Sequence, residues 1–171
     1  MRDLVNVLAR SGVPFLIIGG HGLALHGVQR DTSDLDCMVV AGRREDLTAH
    51  LLHHGFEEIG RHQNFSRFRH RSLVYPLLDV MQVDQGTWLK VESGSLAGTL
   101  FGHSIKVPSV PHYIALKLHA IRQNPDREDQ DRSDICQLIK ANPGSVTHAE
   151  IEALCERYAP EGFWAILQSR L

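Results

Sequence analysis

The chain has 171 residues, 43% of them hydrophobic, which is enough for one compact domain with a real core and no need of a disulfide or metal staple. Charged residues make up 22% and the net charge is -2, so the chain as a whole is no electrostatic nucleic-acid binder, and any such contact must come from a local patch. Cys37, Cys136 and Cys155 are few, scattered and without a C-x-x-C pair, which argues against a disulfide framework or thiolate zinc site and for a reducing cytoplasm.

The opening stretch MRDLVNVLARSG carries Leu4, Val5 and Leu8 at helical spacing before Gly12, which predicts a helix over residues 2–11. It has neither the unbroken apolar core nor the cleavage site of a signal peptide. No run of about eighteen apolar residues follows, so no membrane span is expected. PFLIIGG reads as a buried strand ending in a tight turn, and HGLALHG as a short helix. Asp34 to Val40 alternates and ends in a β-branched pair, which predicts a second strand. Arg43 to His54 is an amphipathic helix stopped by Gly55.

FEEIG, FSRFRH and SLVYPLLDVMQV read as three further strands, with Pro76 marking an edge or a bulge in the last. Residues 84–103 show no clear pattern. SIKV is a final short strand, and V-P-S-V-P opens a helix from His112 to about Gln123. Helices near 128–140 and 147–158 follow, with Pro143 and Gly144 between them. Strands early and helices late predict an α+β domain with a helical C-terminal portion.

The chemistry concentrates in IIGGHGLALHGVQRDTSDLDCMVV. Asp34 and Asp36 lie two apart on a strand, so their side chains leave the same face. Such a pair repels itself unless a cation lies between, and hard oxygen ligands select magnesium or manganese. The Gly19-Gly20 pair ends one strand and opens a helix, where backbone can approach a phosphate closely. Arg30 and Thr32 precede the carboxylates, where a cation and a hydroxyl can meet phosphate oxygens. His21 follows the glycines and either touches those phosphates or caps the turn. A glycine pair alone, or a D-x-D alone, is ordinary; the combination in this order describes a nucleoside-triphosphate site.

These residues resemble the signature of the polymerase-beta-like nucleotidyltransferase superfamily: a hydrophobic residue, Gly-Gly or Gly-Ser, a short spacer, then Asp-hydrophobic-Asp. Residues 18–36 are most similar to the AbiEii-type and related bacterial branch, which reads G-G-x-A-L-x-x-x-G-x-x-R-x-T-x-D-L-D. IKVPSVPHYIALKLHAIRQ and Asp129-Gln130-Asp131-Arg132-Ser133-Asp134-Ile135 are similar to the family's later V-P-S and K-D-x-x-D-L helices. His112 stands where an acidic residue is usual, and Arg132 follows Asp131 where a basic residue often precedes it. The resemblance implies a two-layer α+β nucleotidyltransferase fold with a mixed sheet, a core over residues 1–110, and helices over 111–171 packed on it as one compact unit.

It also implies a third carboxylate on a later strand. L-L-D-V-M nominates Asp79, with Asp84 as the fallback. Asp34, Asp36 and Asp79 would ligate two magnesium (or manganese) ions and carry the catalysis, Asp79 doubling as general base. Gly19, Gly20, His21, Arg30, Thr32, Ser33 and Lys117 would hold the triphosphate. The implied reaction transfers a nucleoside monophosphate from an NTP to a hydroxyl on RNA, protein or a small molecule and releases pyrophosphate. AbiEii-like members act as toxins, which implies a cognate antitoxin partner. A drug-modifying adenylyltransferase acting on an aminoglycoside or lincosamide is one alternative, and an inactive nucleotide- or partner-binding homologue is another.

Three groups carry a structural reading beside the functional one. Lys117 lies on an apolar helix face and either snorkels or meets phosphate. Phe65, Arg67, Arg69 and Arg71 share a strand face, which reads as a charged, solvated edge strand or as an RNA or triphosphate strip. Asp131 and Asp134 share a helix face and either bind a substrate amine or pair with Arg127 and Arg132. None of the eleven histidines falls in a metal-ligand spacing.

Overall fold

The computed structural model describes every residue, Met1–Leu171. The elements in chain order are α1 (Arg2–Ala9), β1 (Leu16–Ile18), α2 (Gly19–Leu25), β2 (Leu35–Val40), α3 (Arg44–His53), β3 (Phe56–His62), β4 (Phe65–His70), β5 (Leu78–Val83), α4 (Gln85–Ser93), β6 (Leu96–Leu100), β7 (His103–Val107), α5 (Val110–Gln123), α6 (Glu128–Ala141), α7 (His148–Tyr158) and α8 (Phe163–Gln168). The chain divides into two compact units, one of residues 1–25 and 30–108, the other of 26–29 and 109–171. Residues 26–29 therefore join the helical unit, ahead of the expected boundary near residue 110.

The first unit is built on a mixed five-stranded sheet in the order β1-β2-β5-β4-β3. β2 and β5 run parallel, and every other neighbouring pair is antiparallel. The strict alternation of a pleated strand sends Leu35, Cys37 and Val39 of β2, Leu78 and Val80 of β5, and Phe68 of β4 to one face. There they join Leu4, Val5 and Leu8 of α1 and Leu47 and Leu51 of α3 in a single buried core. The helices that the 3.6-residue spacing predicts thus cover one side of the sheet, and burying each of those side chains is worth about 1.5–3 kcal/mol. β6 and β7 form a separate hairpin, whose Leu100, Ile105 and Val107 extend the same core.

Two expectations need correction. Pro76 lies before β5, not inside it, and β5 is an interior strand rather than an edge. Proline cannot donate a ladder hydrogen bond, so the strand begins only after it. β4 is interior as well, so its arginines do not guard a free edge. Residues 84–103, unassigned from sequence, form α4 and β6. Asp84 caps α4, its side chain accepting a 3.0 Å bond from the Thr87 amide and a 2.6 Å bond from the Thr87 hydroxyl.

In the second unit, α5 buries Val110, Tyr113, Ile114, Leu118 and Ile121, and α6 buries Ile135, Cys136 and Leu138. α7 opens with a capping box in which Thr147 and Glu150 each satisfy the other's backbone N–H. α8, which the sequence patterning does not announce, follows a left-handed Gly162.

Candidate active site

On the face of β2 and β5 opposite the core, Asp36 and Asp79 stand beside Met38 and Met81. Asp36 pairs with Asp79 across the parallel β2–β5 ladder, and Asp79 pairs with Arg67 across the antiparallel β5–β4 ladder. Directly paired residues point to the same side of a sheet. Asp36, Asp79 and Arg67 therefore form one row across three strands, and Asp34, just before β2, reaches it, its Oδ2 4.0 Å from Arg67 Nη2. The intervening Cys37 and Val80 are fully buried. Burial first, and the nearby charges of Asp36 and Asp79 second, push the Cys37 thiol far above its usual range, so it stays an inert core residue.

Arg67 grips Asp79. Its Nε donates to Oδ1 at 2.7 Å and its Nη2 to Oδ2 at 2.6 Å, the two-pronged geometry of a strong charge-assisted pair. The same Nη2 stands 4.0 Å from Asp34 Oδ2. The hydrogen bond to Asp79, more than the neighbouring carboxylate charges, raises the Arg67 pKa still further above its ordinary value. Sequence reasoning placed Arg67 on a basic strip and missed this partnership. The strip itself is neutralised: Arg69 and Arg71 pair with Glu57 at 3.8 and 3.2 Å, and Arg61 pairs with Glu58 and Glu45.

The glycine turn lies against this row. Ile18 pairs with Asp36 in the β1–β2 ladder, and Gly19 turns away with φ +61. A Cβ on Gly19 would overlap the Asp36 carboxylate, and one on Gly20 would come within 2.7 Å of Thr32 Cβ. Glycine is required at both places by close approach. Thr32 Oγ1 donates to the Asp34 carbonyl at 3.2 Å, and Ser33 Oγ donates to Asp34 Oδ1 at 2.9 Å, so both hydroxyls hold the start of β2. His21 packs edge-on against Phe101. Its Nε2 is buried without a hydrogen-bond partner, and burial, with the chain's amino terminus adding to it, lowers its pKa.

The structure thus brings Asp34, Asp36 and Asp79 together with Gly19, Gly20, Thr32 and Ser33. Hard carboxylate oxygens at Asp34 and Asp36 suit a divalent ion. The three acidic groups nonetheless do not close into a ready ligand cage, because Arg67 occupies both oxygens of Asp79. Asp84 belongs to the α4 cap, which leaves Asp79 as the carboxylate beside Asp36.

Lys117 departs from expectation. It is buried in the helical unit, and its ammonium donates to Asp131 Oδ1 at 2.6 Å and Asp134 Oδ2 at 2.5 Å. A phosphate would have to displace two buried carboxylates, so this internal ion cluster competes with the phosphate contact expected of Lys117. Asp131 also accepts from Arg127 Nε at 2.9 Å, as expected, whereas Arg132 pairs with Glu128 and Asp129 instead. Arg132 lies one residue along from Asp131, on a different face of α6.

A carboxylate row beside a glycine turn on a mixed sheet is the frame of a nucleotidyltransferase. Solved structures share this fold. The solution structure of the antibiotic-resistance factor ANT(2'')-Ia is 16% identical, with a TM-score of 0.69 over 98% of this chain and 95% of its own. The crystal structure of ANT(2'')-Ia in complex with adenylyl-2''-tobramycin is 18% identical, with a TM-score of 0.66 over 99% and 97%. The lincomycin-bound lincosamide antibiotic adenylyltransferase LnuA is 14% identical, with a TM-score of 0.57 over 82% and 94%. No curated protein matches the chain. The protein is a nucleotidyltransferase. The family model of the aminoglycoside-2''-adenylyltransferases matches residues 1–109, and the chain belongs to that family.

Proposed function

We propose that the protein transfers the adenylyl group of ATP to a hydroxyl of an aminoglycoside-like small molecule and releases pyrophosphate. The observation that carries this reading is the family match over residues 1–109, which spans the whole carboxylate row. Asp34 and Asp36 hold a divalent ion, which supplies charge neutralisation for the triphosphate and leaving pyrophosphate when bound. The Gly19–Gly20 turn, with His21, Arg30, Thr32 and Ser33, lies along the phosphates. Asp79 keeps lone pairs beyond those given to Arg67, enough to accept the acceptor hydroxyl's hydrogen bond, orient it and take its proton.

The acceptor class follows from charge as well. An RNA acceptor needs unpaired basic groups along a groove. Here Arg61, Arg69 and Arg71 are matched by Glu45, Glu57 and Glu58, which supports a small cationic acceptor over a polyanion. No specific observation favours the AbiEii-type toxin reading with an antitoxin partner. Incubation with α-labelled ATP and magnesium tests the proposal, with aminoglycosides, lincosamides, total RNA and total protein offered separately. Label is expected on an aminoglycoside, with stoichiometric pyrophosphate. Label on RNA or protein alone would overturn the small-molecule assignment.

A further inference from the structure

Arg67 is the cation that stands directly opposite Asp79, and the fold holds it there. Its neighbours Ser66 and Phe68 are buried on the opposite face, so the backbone of β4 is fixed. The β4–β5 register sets Arg67 directly opposite Asp79. The guanidinium then meets both Asp79 oxygens and reaches within 4.0 Å of Asp34, with its Cζ also 5.9 Å from the Phe65 ring centroid. That position, against Asp79 and near Asp34, is where a further cation would otherwise neutralise those two carboxylates.

We propose that Arg67 takes the place of a second metal ion: the site holds one divalent cation, on Asp34 and Asp36, and Asp79 is a guanidinium-bound carboxylate rather than a metal ligand. The inference rests on reading Asp34 and Asp36 as the metal site. A divalent ion on Asp79 would have to break two charge-assisted hydrogen bonds and come to rest beside a permanent positive charge. Arginine cannot relieve that repulsion by losing its proton. The role is one of positioning: Arg67 aims Asp79 along the row and fixes how many ions the carboxylates can take.

Ion counting tests this apart from catalysis. Mn2+ would be titrated into the full-length protein with a non-hydrolysable ATP analogue, free Mn2+ being read by its electron paramagnetic resonance signal. Wild type is expected to bind one ion, Arg67→Gln two, and Arg67→Lys, which keeps the charge, one. Two ions in the wild type would overturn the inference while leaving the carboxylates as a metal site. An unchanged single ion in Arg67→Gln would also overturn it. No Mn2+ bound by any form would overturn the metal reading beneath it. Should Arg67→Gln fail to fold, judged by circular dichroism, the counts for wild type and Arg67→Lys decide: one ion each supports the inference, and two in either overturns it.

Discussion

Gly19 and Asp36 are fitted to each other: the Cβ that Gly19 lacks would stand 2.8 Å from the Cβ of Asp36 and overlap its carboxylate. Gly19 also holds a left-handed φ of +61, which costs an L-residue roughly 1–2 kcal/mol. Gly19→Ala is therefore expected to destabilise the fold by at least that amount and to displace Asp36, lowering adenylyl transfer sharply. Gly42, with open space where a Cβ would go, is the control, and Gly42→Ala should leave both quantities unchanged. Urea unfolding and initial rates on the two variants check this. An active, stable Gly19→Ala would show that the turn does not brace the carboxylate.

Asp36 lies near two like charges, Asp34 just before its strand and Asp79 across the ladder, and its removal relieves their repulsion. Asp36→Asn is expected to abolish transfer while leaving the metal-free protein as stable as wild type, or more stable by up to about 1 kcal/mol. Magnesium should raise the melting temperature of wild type by binding the folded state, and raise that of the variant far less. Thermal melts of both proteins with and without magnesium give the answer. A variant melting lower in metal-free buffer, beside a wild type indifferent to magnesium, would remove the case for a metal here.

What was legible in the sequence was what local periodicity encodes. The D-x-D of Asp34 and Asp36, the glycine turn and the apolar stripe of α1 are short-range patterns that the structure shows, whereas α3 buries Leu47 and Leu51 but leaves Leu52, read on the same apolar side, exposed. What was not legible depends on strand register. Arg67 and Asp79 are paired because β4 and β5 are antiparallel neighbours, and nothing in the run F-S-R-F-R-H names that partner. Lys117 illustrates the same limit on helices. Its apolar face was visible, but the two aspartates that neutralise it come from α6, and only tertiary packing decides whether a buried lysine meets phosphate or carboxylate. The Pro76 region misled because proline was taken to interrupt a strand that in fact starts beyond it.

Asp79 and Asp84 are five residues apart and chemically alike, yet the structure separates their tasks. Asp84 caps α4 through Thr87, and that hydroxyl bond, more than the backbone ones, lowers its pKa. Asp84→Ala should lower the melting temperature modestly and leave transfer intact. Asp79→Asn should keep the fold and lose transfer, because the group opposite Asp36 no longer carries charge. Rates and melts for the pair separate the roles. Loss of transfer in Asp84→Ala with transfer kept in Asp79→Asn would reverse the assignment.

The ion cluster of the helical unit sets a pH dependence of its own. Burial alone would raise the Asp131 pKa, but the hydrogen bonds and charges of Arg127 and Lys117 outweigh it, so the folded value lies below the ordinary 3.8. A carboxyl group whose pKa is depressed on folding contributes stability that is complete above its unfolded pKa and is lost as pH falls through the folded one. Wild type should therefore lose stability on acidification below the ordinary carboxylate range more steeply than Asp131→Asn, which has no such proton to take up. Lys117→Met should be costly already at neutral pH, by about 3–5 kcal/mol, because it removes the ammonium that two buried aspartates share. Urea midpoints for wild type and both variants, from neutral pH down into the acid range, test the two statements together. The Lys117→Met deficit should shrink as acid protonates Asp131. Parallel curves for wild type and Asp131→Asn would show that this cluster does not set the acid limit. A Lys117→Met protein of normal stability but raised KM for ATP would return Lys117 to the phosphates.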